Sequence, residues 1–200
     1  MEALAEKFYT YEDYSKINDN KRREVINGVI YAMTAPLRDH QGILMNLSNQ
    51  FYNYLRGKKC QVYPAPFDVR LPRKGETKVT VSTVVQPDIV IICDKSKLDR
   101  RGCVGSPDLI IEILSPSTAG IDKIKKLNLY QEHSIAEYWI VDPSNQVVDK
   151  FALDKDTGKY NRAETFSRED AISPTIFPDF TIKLDEVFPP LDEYEISVDV

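Results

Sequence analysis

The chain has 200 residues, enough for one domain with a substantial hydrophobic core. Its net charge of −5 excludes a protein whose whole surface grips nucleic acid, but it is compatible with a local basic cleft. No run of about 18 apolar residues predicts a membrane span, and the N-terminus lacks a signal-peptide pattern. The three scattered cysteines, Cys60, Cys93 and Cys103, predict free thiols in a reducing cytoplasm.

The first third of the chain predicts a helix, a hairpin and a second helix. A short helix is expected over 11–17. Asn27 and Gly28 lie between two β-rich runs and predict a β-hairpin, because both central residues of a type I′ turn need positive φ. Glu24 lies on the first strand of this hairpin. Apolar residues at helical spacing over 40–56 predict an amphipathic helix that packs on a sheet.

Two short apolar runs in the middle of the chain predict buried strands, at 85–93 and 108–114. Each run carries an acid where a buried strand should have none, Asp88 in the first and Glu112 in the second. An unpaired buried carboxylate costs several kcal/mol, so such groups are usually paired, protonated or bound to a metal. These two acids are therefore the first candidates for a functional site.

The order of the elements predicts the fold class. A helix over 121–132 and a buried strand at 138–141 follow the two runs, and several short strands continue to about Phe188. Strands that alternate with a helix, flanked by hairpins, indicate an α/β or α+β domain with a mixed sheet. We expect one domain over 1–200, with a loosely ordered acidic tail over 190–200.

Strand geometry selects which acids can meet. Residues of equal parity share a face of a strand and rise about 3.3 Å each, so Asp108 and Glu112 lie roughly 13 Å apart. If the two apolar strands pair, the carboxyls of Asp88 and Glu112 come within about 4–5 Å. Two carboxylates that close repel each other unless a cation lies between them. A hard divalent ion is expected there, Mg²⁺ in the first instance, with Mn²⁺ equally allowed.

From the residues alone, each candidate also has a structural interpretation. Asp88 follows a proline and is typical of a turn, and Glu24 on a hairpin is typical of an exposed acid. Lys126 lies in a helix with three lysines, which is usually a solvated face. Tyr130 is more typical of packing than of chemistry. His40 begins a helix and is more often a cap or structural donor than a ligand.

Four segments in this order carry a family resemblance: Q-P-D-I-V, P-D-L-I-I-E-I-L-S-P-S-T, D-K-I-K-K-L-N-L-Y and E-Y-W-I-V-D-P. From about Tyr11 to Phe188 the chain resembles a family of "putative restriction endonucleases" in the PD-(D/E)XK nuclease superfamily, common in many copies in photosynthetic bacteria. The resemblance implies a restriction-endonuclease-like core, with a mixed central β-sheet flanked by helices. An N-terminal hairpin and extra C-terminal strands would be added to that core.

The resemblance also implies a metal site. Asp88 matches the acid of the PD half of the motif, and Glu112 matches the acid of the (D/E)XK half. The two would hold Mg²⁺ or Mn²⁺, with the backbone carbonyl of Ile113 as a further ligand. Glu24 matches the acid that the N-terminal segment contributes to hold the metal or its water.

The lysine of the motif is displaced. Leu114 stands two residues after Glu112, where the superfamily has its lysine. The resemblance implies that Lys126, in the following helix, takes over that role and orients the attacking water or stabilises charge on the phosphate. Lys123 and Lys125 are near alternatives.

The implied function is metal-dependent endonucleolytic hydrolysis of DNA. Basic residues at 21–23 and 95–101 are expected to contact the phosphate backbone. A homodimer is expected, since two strands need two sites. The alternative is a catalytically inactive nuclease-fold protein that binds nucleic acid or a protein partner. The acidic net charge and Leu114 favour this alternative.

Overall fold

The computed structural model of the chain describes residues 7–19, 21–115 and 120–189. The predicted acidic tail and most of the S-P-S-T turn lie outside these residues. The described part contains three α-helices and a π-helical turn, and 3₁₀ turns at Lys95–Lys97 and Leu184–Glu186. The helical segments are α1 (Tyr11–Ser15), α2 (Arg38–Leu55), the π-helical turn (Ile121–Lys126) and α3 (Leu127–Glu132).

Fifteen strands accompany these helices in the described residues. They are β1 (Arg23–Ile26), β2 (Val29–Ala32), β3 (Gln61–Pro64), β4 (Asp68–Arg70), β5 (Val84–Val85), β6 (Ile89–Ile92), β7 (Leu98–Asp99), β8 (Gly102–Val104), β9 (Leu109–Ile113), β10 (Glu137–Asp142), β11 (Val147–Asp154), β12 (Lys159–Tyr160), β13 (Glu164–Ser167), β14 (Ala171–Ile172) and β15 (Ile182–Lys183).

Local sequence signals explain the N-terminal elements. Thr10 and Asp13 form a capping box at the start of α1, which ends at Ser15, two residues earlier than predicted. The β1–β2 hairpin turns at Asn27 and Gly28, whose φ angles are 52° and 79°, so the predicted turn is confirmed.

The central sheet is mixed, as predicted. Its strand order is β12-β11-β10-β9-β6-β3, with β13 beside β11. β9 and β10 are parallel, whereas β6 pairs with β9 in the antiparallel sense. A parallel pair needs a crossover connection, and here the crossover contains the π-helical turn and α3. A second sheet, in the order β2-β1-β5-β4-β8-β7, carries the N-terminal hairpin.

The central strands are covered on both faces, which explains their almost continuous apolar sequences. On one face, Ile89 and Ile111 pack with the apolar side of α2, as the helical periodicity predicted. On the other face, Val90 and Ile110 pack with residues of the second sheet and α3. Glu112 has the parity of Ile110, so its side chain belongs to this second face.

The predicted free thiols are wrong for two of the three cysteines. Cys60 precedes β3 and Cys93 follows β6, and the antiparallel register brings them opposite each other, where they form a disulfide. Their Cα atoms are 3.9 Å apart. Cys103 is free and buried, and burial raises the pKa of its thiol to about 11. The expectation of a reducing cytoplasm therefore loses the support of this pair.

Within the described ranges, no helix has the length and apolar character that a membrane crossing requires.

Candidate active site

Strand pairing brings Asp88 and Glu112 opposite each other. In the antiparallel β6–β9 pair Ile89 faces Ile111, and the same register continued by one residue sets Asp88 against Glu112. Both side chains are buried, with relative exposures of 8% and 3%. The predicted pairing of the two apolar strands is thus confirmed, but the strand predicted at 85–93 is divided into β5, which belongs to the second sheet, and β6, which belongs to the central sheet. Asp108 lies at the other end of the pair, where its Oδ2 accepts a hydrogen bond of 2.7 Å from the backbone N–H of Cys93.

Asp88 is oriented by two groups from different elements. Its Oδ2 accepts a hydrogen bond of 2.8 Å from the backbone N–H of Ile113. The same oxygen lies 3.2 Å from Nε2 of His40, in the first turn of α2. His40 is buried and lines the site, a position that the sequence interpretation as a cap did not anticipate. A signal was available, because His40 shares the helical face of Ile43 and the other residues that pack on the central sheet.

Glu112 receives two hydrogen bonds at one oxygen. Nζ of Lys126 lies 2.9 Å from its Oε1, and the hydroxyl of Tyr130 donates to the same atom at 2.7 Å. Burial raises the pKa of Tyr130 well above its usual value, and the charge of Glu112 raises it further. Tyr130 therefore remains a hydrogen-bond donor at neutral pH. It packs in the core, as the sequence suggested, but it also contacts a candidate metal ligand.

Lys126 joins the two sheets at the site. Its Nζ lies 3.0 Å from Oε1 of Glu24 on β1 and, as noted, close to Glu112 on β9. The other two lysines of this segment point elsewhere. Lys123 lies 3.6 Å from Asp142, and Lys125 donates to the hydroxyl of Tyr31.

The π-helical turn explains why Lys126 reaches the carboxylates although its neighbours do not. Lys126 is the last residue of this turn, and α3 follows at once. π-Helical geometry is wider than an α-helix, and single π turns frequently lie at functional sites. Lys126 is 3% exposed, so its sequence interpretation as part of a solvated face does not hold.

The four predicted side chains line one cleft that is open to solvent. Its walls come from the hairpin, the start of α2, the facing ends of β6 and β9, and the π-helical turn. The lining residues are Arg22, Glu24, Tyr31, Ala32, Met33, Thr34, Pro36, His40, Asp88, Glu112, Ile113, Ser115 and Lys126. Leu114 instead packs in the second hydrophobic core, so a lysine at that position would be directed into apolar surroundings.

The basic residues predicted to contact phosphate are not equivalent. Arg22 lines the cleft, whereas Arg23 forms an ion pair with Asp19. In the 95–101 segment, Lys97 donates to the backbone carbonyl of Ser106. Of these groups, Arg22 is the one that faces the carboxylates.

The donor set suits a magnesium-type site better than an all-protein cage. Among the described residues, no three His, Cys, Asp or Glu side chains are grouped closely enough to hold a metal ion. Mg²⁺ commonly binds through one or two carboxylates and completes its coordination with water and substrate phosphate oxygens. Asp88 and Glu112 fit that description. The backbone carbonyl of Ile113 as a ligand stays a prediction.

A family model described as "Uma2: Putative restriction endonuclease" matches residues 5–185. The chain belongs to the Uma2 family. The resemblance predicted from the sequence is therefore confirmed. Two curated relatives are the uncharacterized proteins slr1290 and sll1609 of Synechocystis sp. The first is 26% identical over 72% of this chain and 74% of its own length. The second is 26% identical over 61% of this chain and 67% of its own length.

A solved structure confirms the fold class. A "putative nuclease belonging to DUF820" from Anabaena variabilis superposes with a TM-score of 0.71 at 17% identity. The match covers 90% of this Uma2 chain and 97% of the other. The two proteins therefore share a fold, a mixed sheet with few helices, although most of their residues differ.

Proposed function

We propose that this Uma2 protein is a metal-dependent endonuclease that hydrolyses DNA phosphodiester bonds. The observation that carries the proposal is the position of Lys126 between Glu24 and Glu112, in the cleft that Asp88 also lines. These four side chains come from four separate segments of the chain. Their combination of oxygen ligands and one ammonium group is suited to the hydrolysis of a phosphodiester.

The energetics of burial support a functional interpretation of this cluster. Glu24, Glu112 and Lys126 are each less than 5% exposed. Removing charged groups from water is costly, and apolar residues of similar volume are often as stable as a buried ion pair or more stable. Stability alone therefore gives little reason for three buried charges at this position. A site that must handle a metal and a phosphate does give such a reason.

In this proposal, Asp88 and Glu112 would hold Mg²⁺ or Mn²⁺, with Ile113 supplying a backbone oxygen. When bound there, the divalent ion lowers the pKa of a water molecule and polarises the phosphate. The carboxylates are oriented by the chain itself. His40 and the N–H of Ile113 hold Asp88, and Tyr130 and Lys126 hold Glu112.

Lys126 and Glu24 would act on the reacting groups. The ammonium group of Lys126 orients the attacking water or stabilises negative charge on the pentavalent phosphate. Glu24 keeps Lys126 in place, and it would also orient a water molecule. Glu24 is itself fixed, because its Oε1 accepts a hydrogen bond of 2.8 Å from the backbone N–H of Gln86.

Plasmid cleavage in Mg²⁺ or Mn²⁺ tests the proposal. We expect the purified protein to nick or linearise plasmid DNA, and Asp88→Ala and Glu112→Ala to lose that activity. Glu169→Gln, which changes an exposed acid, is a matched control that should cleave normally. Equal cleavage by the wild type and by both alanine variants would place the activity elsewhere and refute the proposal.

A second candidate function is a nuclease-fold protein that binds nucleic acid or a protein partner without cleaving. The net charge of −5 and Leu114 at the usual lysine position favour it. DNA binding without cleavage in either ion would support this function.

We also propose that the protein is a homodimer acting in the cytoplasm. Sedimentation of the purified chain tests the dimer.

A further inference from the structure

Arg22 has an unsatisfied donor in the cleft. Arg22 lies two residues before Glu24 and lines the same cleft. Its Nε donates to Oε1 of Gln86 at 3.1 Å, but its Nη2 is buried and has no hydrogen-bond partner among the described residues. Leaving a buried charged donor unpaired is costly, so native structures rarely do so without a reason. The described part of the protein therefore leaves one nitrogen of this guanidinium without a partner.

A buried arginine elsewhere in the protein shows the contrast. Arg70 also has an unbonded nitrogen, Nε, but its Nη2 forms an ion pair of 2.5 Å with Asp99. Its guanidinium also lies 4.7 Å from the ring centroid of Tyr11. The charge of Arg70 is thus balanced by a carboxylate. Arg22 has no carboxylate partner within the described ranges, although its position beside Glu24 and Asp88 is rich in acids.

Gln86 keeps Arg22 in this position through a chain of hydrogen bonds. The side-chain amide nitrogen of Gln86 donates to Oδ1 of Asp68 at 2.9 Å and to the hydroxyl of Tyr14 at 3.1 Å. With its nitrogen directed at these acceptors, the amide presents its oxygen to Nε of Arg22. The backbone N–H of Gln86 also bonds Glu24. One residue therefore fixes both Arg22 and a candidate catalytic acid.

The charge balance of the cleft indicates which ligand this arrangement would take. Glu24, Asp88 and Glu112 carry three negative charges, and Lys126 carries one positive charge. A phosphodiester would be repelled by that set. A divalent ion and the guanidinium of Arg22 would together make the net charge of this set positive. The planar fork of a guanidinium also matches phosphate oxygens better than a single ammonium does.

We propose that Arg22 binds the phosphodiester group that is cleaved, and that Gln86 and Asp68 are positioning residues for its guanidinium. The inference rests on the proposed nuclease function and assigns the phosphate subsite of that function. Arg22 approaches from the hairpin, whereas the metal ligands approach from β6 and β9. The phosphate would therefore be held between the two sheets.

Cleavage kinetics and DNA binding test this assignment. A labelled duplex is cleaved in Mn²⁺, and binding of the same duplex is followed by fluorescence anisotropy over a range of NaCl concentrations in Ca²⁺, a hard divalent ion that also takes carboxylate ligands. We expect Arg22→Gln to lower kcat by about 10²- to 10³-fold, the usual effect of removing one transition-state donor. We also expect the binding constant to depend less steeply on salt concentration, by about the amount that one phosphate contact contributes.

Two further variants separate positioning from folding. Gln86→Met keeps Arg22 and the backbone hydrogen bond to Glu24, but it removes the hydrogen bonds of the Gln86 side chain. We therefore expect kcat to fall by about tenfold. The salt slope, which is the slope of the logarithm of the binding constant against the logarithm of the salt concentration, should not change. Arg22→Lys keeps the charge but cannot bond Gln86 and the phosphate as a fork. It should keep the salt slope and lose most of kcat. If Arg22→Gln does not fold, this variant carries the test.

Arg162→Gln is the control, because Arg162 is an exposed arginine that does not line the cleft. It should retain the kcat of the wild type. If Arg22→Gln and Arg22→Lys, verified as folded by circular dichroism, both cleave like the wild type, the assignment of Arg22 is overturned while the nuclease function stands. If the wild type neither binds nor cleaves the duplex, the proposed function fails, and the assignment fails with it.

Discussion

Lys126 reaches Glu112 from outside the strand that carries the acid, with Nζ 2.9 Å from Oε1. The position that would hold a lysine on the strand itself, two residues after Glu112, is Leu114, whose side chain packs in the core. The ammonium group is delivered by the last residue of the π-helical turn instead. The same atom contacts Glu24, so it links the hairpin to the central sheet.

Replacing Lys126 should affect both stability and cleavage. Lys126→Met leaves Glu24 and Glu112 as buried carboxylates without their cation, so we expect a loss of about 3–5 kcal/mol in the free energy of unfolding. Cleavage should be abolished. Urea denaturation and plasmid cleavage measure the two effects. Lys125→Met removes an exposed neighbour and should be close to the wild type in both. Cleavage at the wild-type rate by Lys126→Met would exclude a role for this lysine in the reaction.

Tyr130→Phe removes the hydrogen bond that the Tyr130 hydroxyl donates to Glu112. Bonds to charged groups are worth about 1.5–3 kcal/mol, and we expect the free energy of unfolding to fall by a similar amount. Cleavage should decline less than in Lys126→Met, because the ammonium group remains. Tyr52→Phe changes an exposed tyrosine on α2 and serves as the control. An unchanged unfolding free energy would mean that the Tyr130 hydroxyl contributes nothing to holding Glu112.

His40→Ala should weaken metal binding, because it removes one of the groups that orient Asp88. Changes to the partners of metal ligands typically cost about 10–100-fold in metal affinity or activity. Calorimetric titration with Mn²⁺ measures the affinity directly, and the Mn²⁺ concentration for half-maximal cleavage gives a second measure. His40→Gln retains a donor and should recover part of the affinity. Gln41→Ala, at the exposed neighbouring position, should behave like the wild type. Equal affinity in all four proteins would assign His40 a purely structural role.

We expect the buried carboxyl of Glu137 to stabilise the protein in mild acid. Its carboxyl is fully buried and accepts hydrogen bonds from Nε1 of Trp139 and from the backbone N–H of Thr175. Burial raises the pKa of this carboxyl. The folded state then binds the proton more tightly than the unfolded state, whose pKa is about 4.3. This contribution to stability is therefore fully present below about pH 4 and is lost as the pH rises through the folded pKa.

Urea denaturation from pH 4 to pH 7 tests the linkage at Glu137. Glu137→Gln does not titrate, so the difference in unfolding free energy between the wild type and this variant should change with pH in the direction given. The Gln side chain has one hydrogen-bond acceptor fewer than the carboxylate. This changes the free energy of unfolding by the same amount at every pH and adds no pH dependence. A difference that stays constant with pH would show that Glu137 does not titrate differently in the folded and unfolded states.

Reduction of the Cys60–Cys93 disulfide should destabilise the fold and spare the site. The bond closes a loop with a sequence separation of 33 residues. The chain-entropy model assigns such a loop about 4 kcal/mol. Denaturation with and without dithiothreitol measures the effect, and Cys60→Ser/Cys93→Ser should match the reduced wild type. Cleavage should persist, since the disulfide and Asp88 are at opposite ends of β6. Equal stability in both redox states would contradict the expectation.

Short-range signals predicted the local elements well. The Asn27-Gly28 turn needs only its own φ angles, and α2 needs only its 3.6-residue apolar period. The rise of about 3.3 Å per residue set Asp108 roughly 13 Å from Glu112 along one strand, whereas the pairing of the two strands set Asp88 opposite Glu112. The family resemblance then supplied the predicted roles of Glu24 and Lys126, which composition and spacing alone did not favour.

Other features depended on contacts between distant segments. The sequence separation of Cys60 and Cys93 concealed that β3 and β6 pair in a register that sets them opposite each other. His40 was recognised as the start of a helix but not as a partner of Asp88, 48 residues away. The choice of Lys126 among three lysines required the π-helical turn, whose wider geometry has no clear signature in a lysine-rich segment.

The sequence by itself determined the N-terminal hairpin, the apolar runs of β6 and β9, the acids beside and within them and the missing lysine at Leu114, because these follow from turn chemistry, periodicity and motif order along the chain. Only the tertiary structure decided which charges are paired and which are not. Lys126 is enclosed by Glu24 and Glu112, whereas Arg22 is held by Gln86 and has one buried nitrogen that no described residue bonds. Electrostatic and hydrogen-bond partnerships depend on distances of about 3 Å between side chains, and such distances are set by packing rather than by sequence spacing.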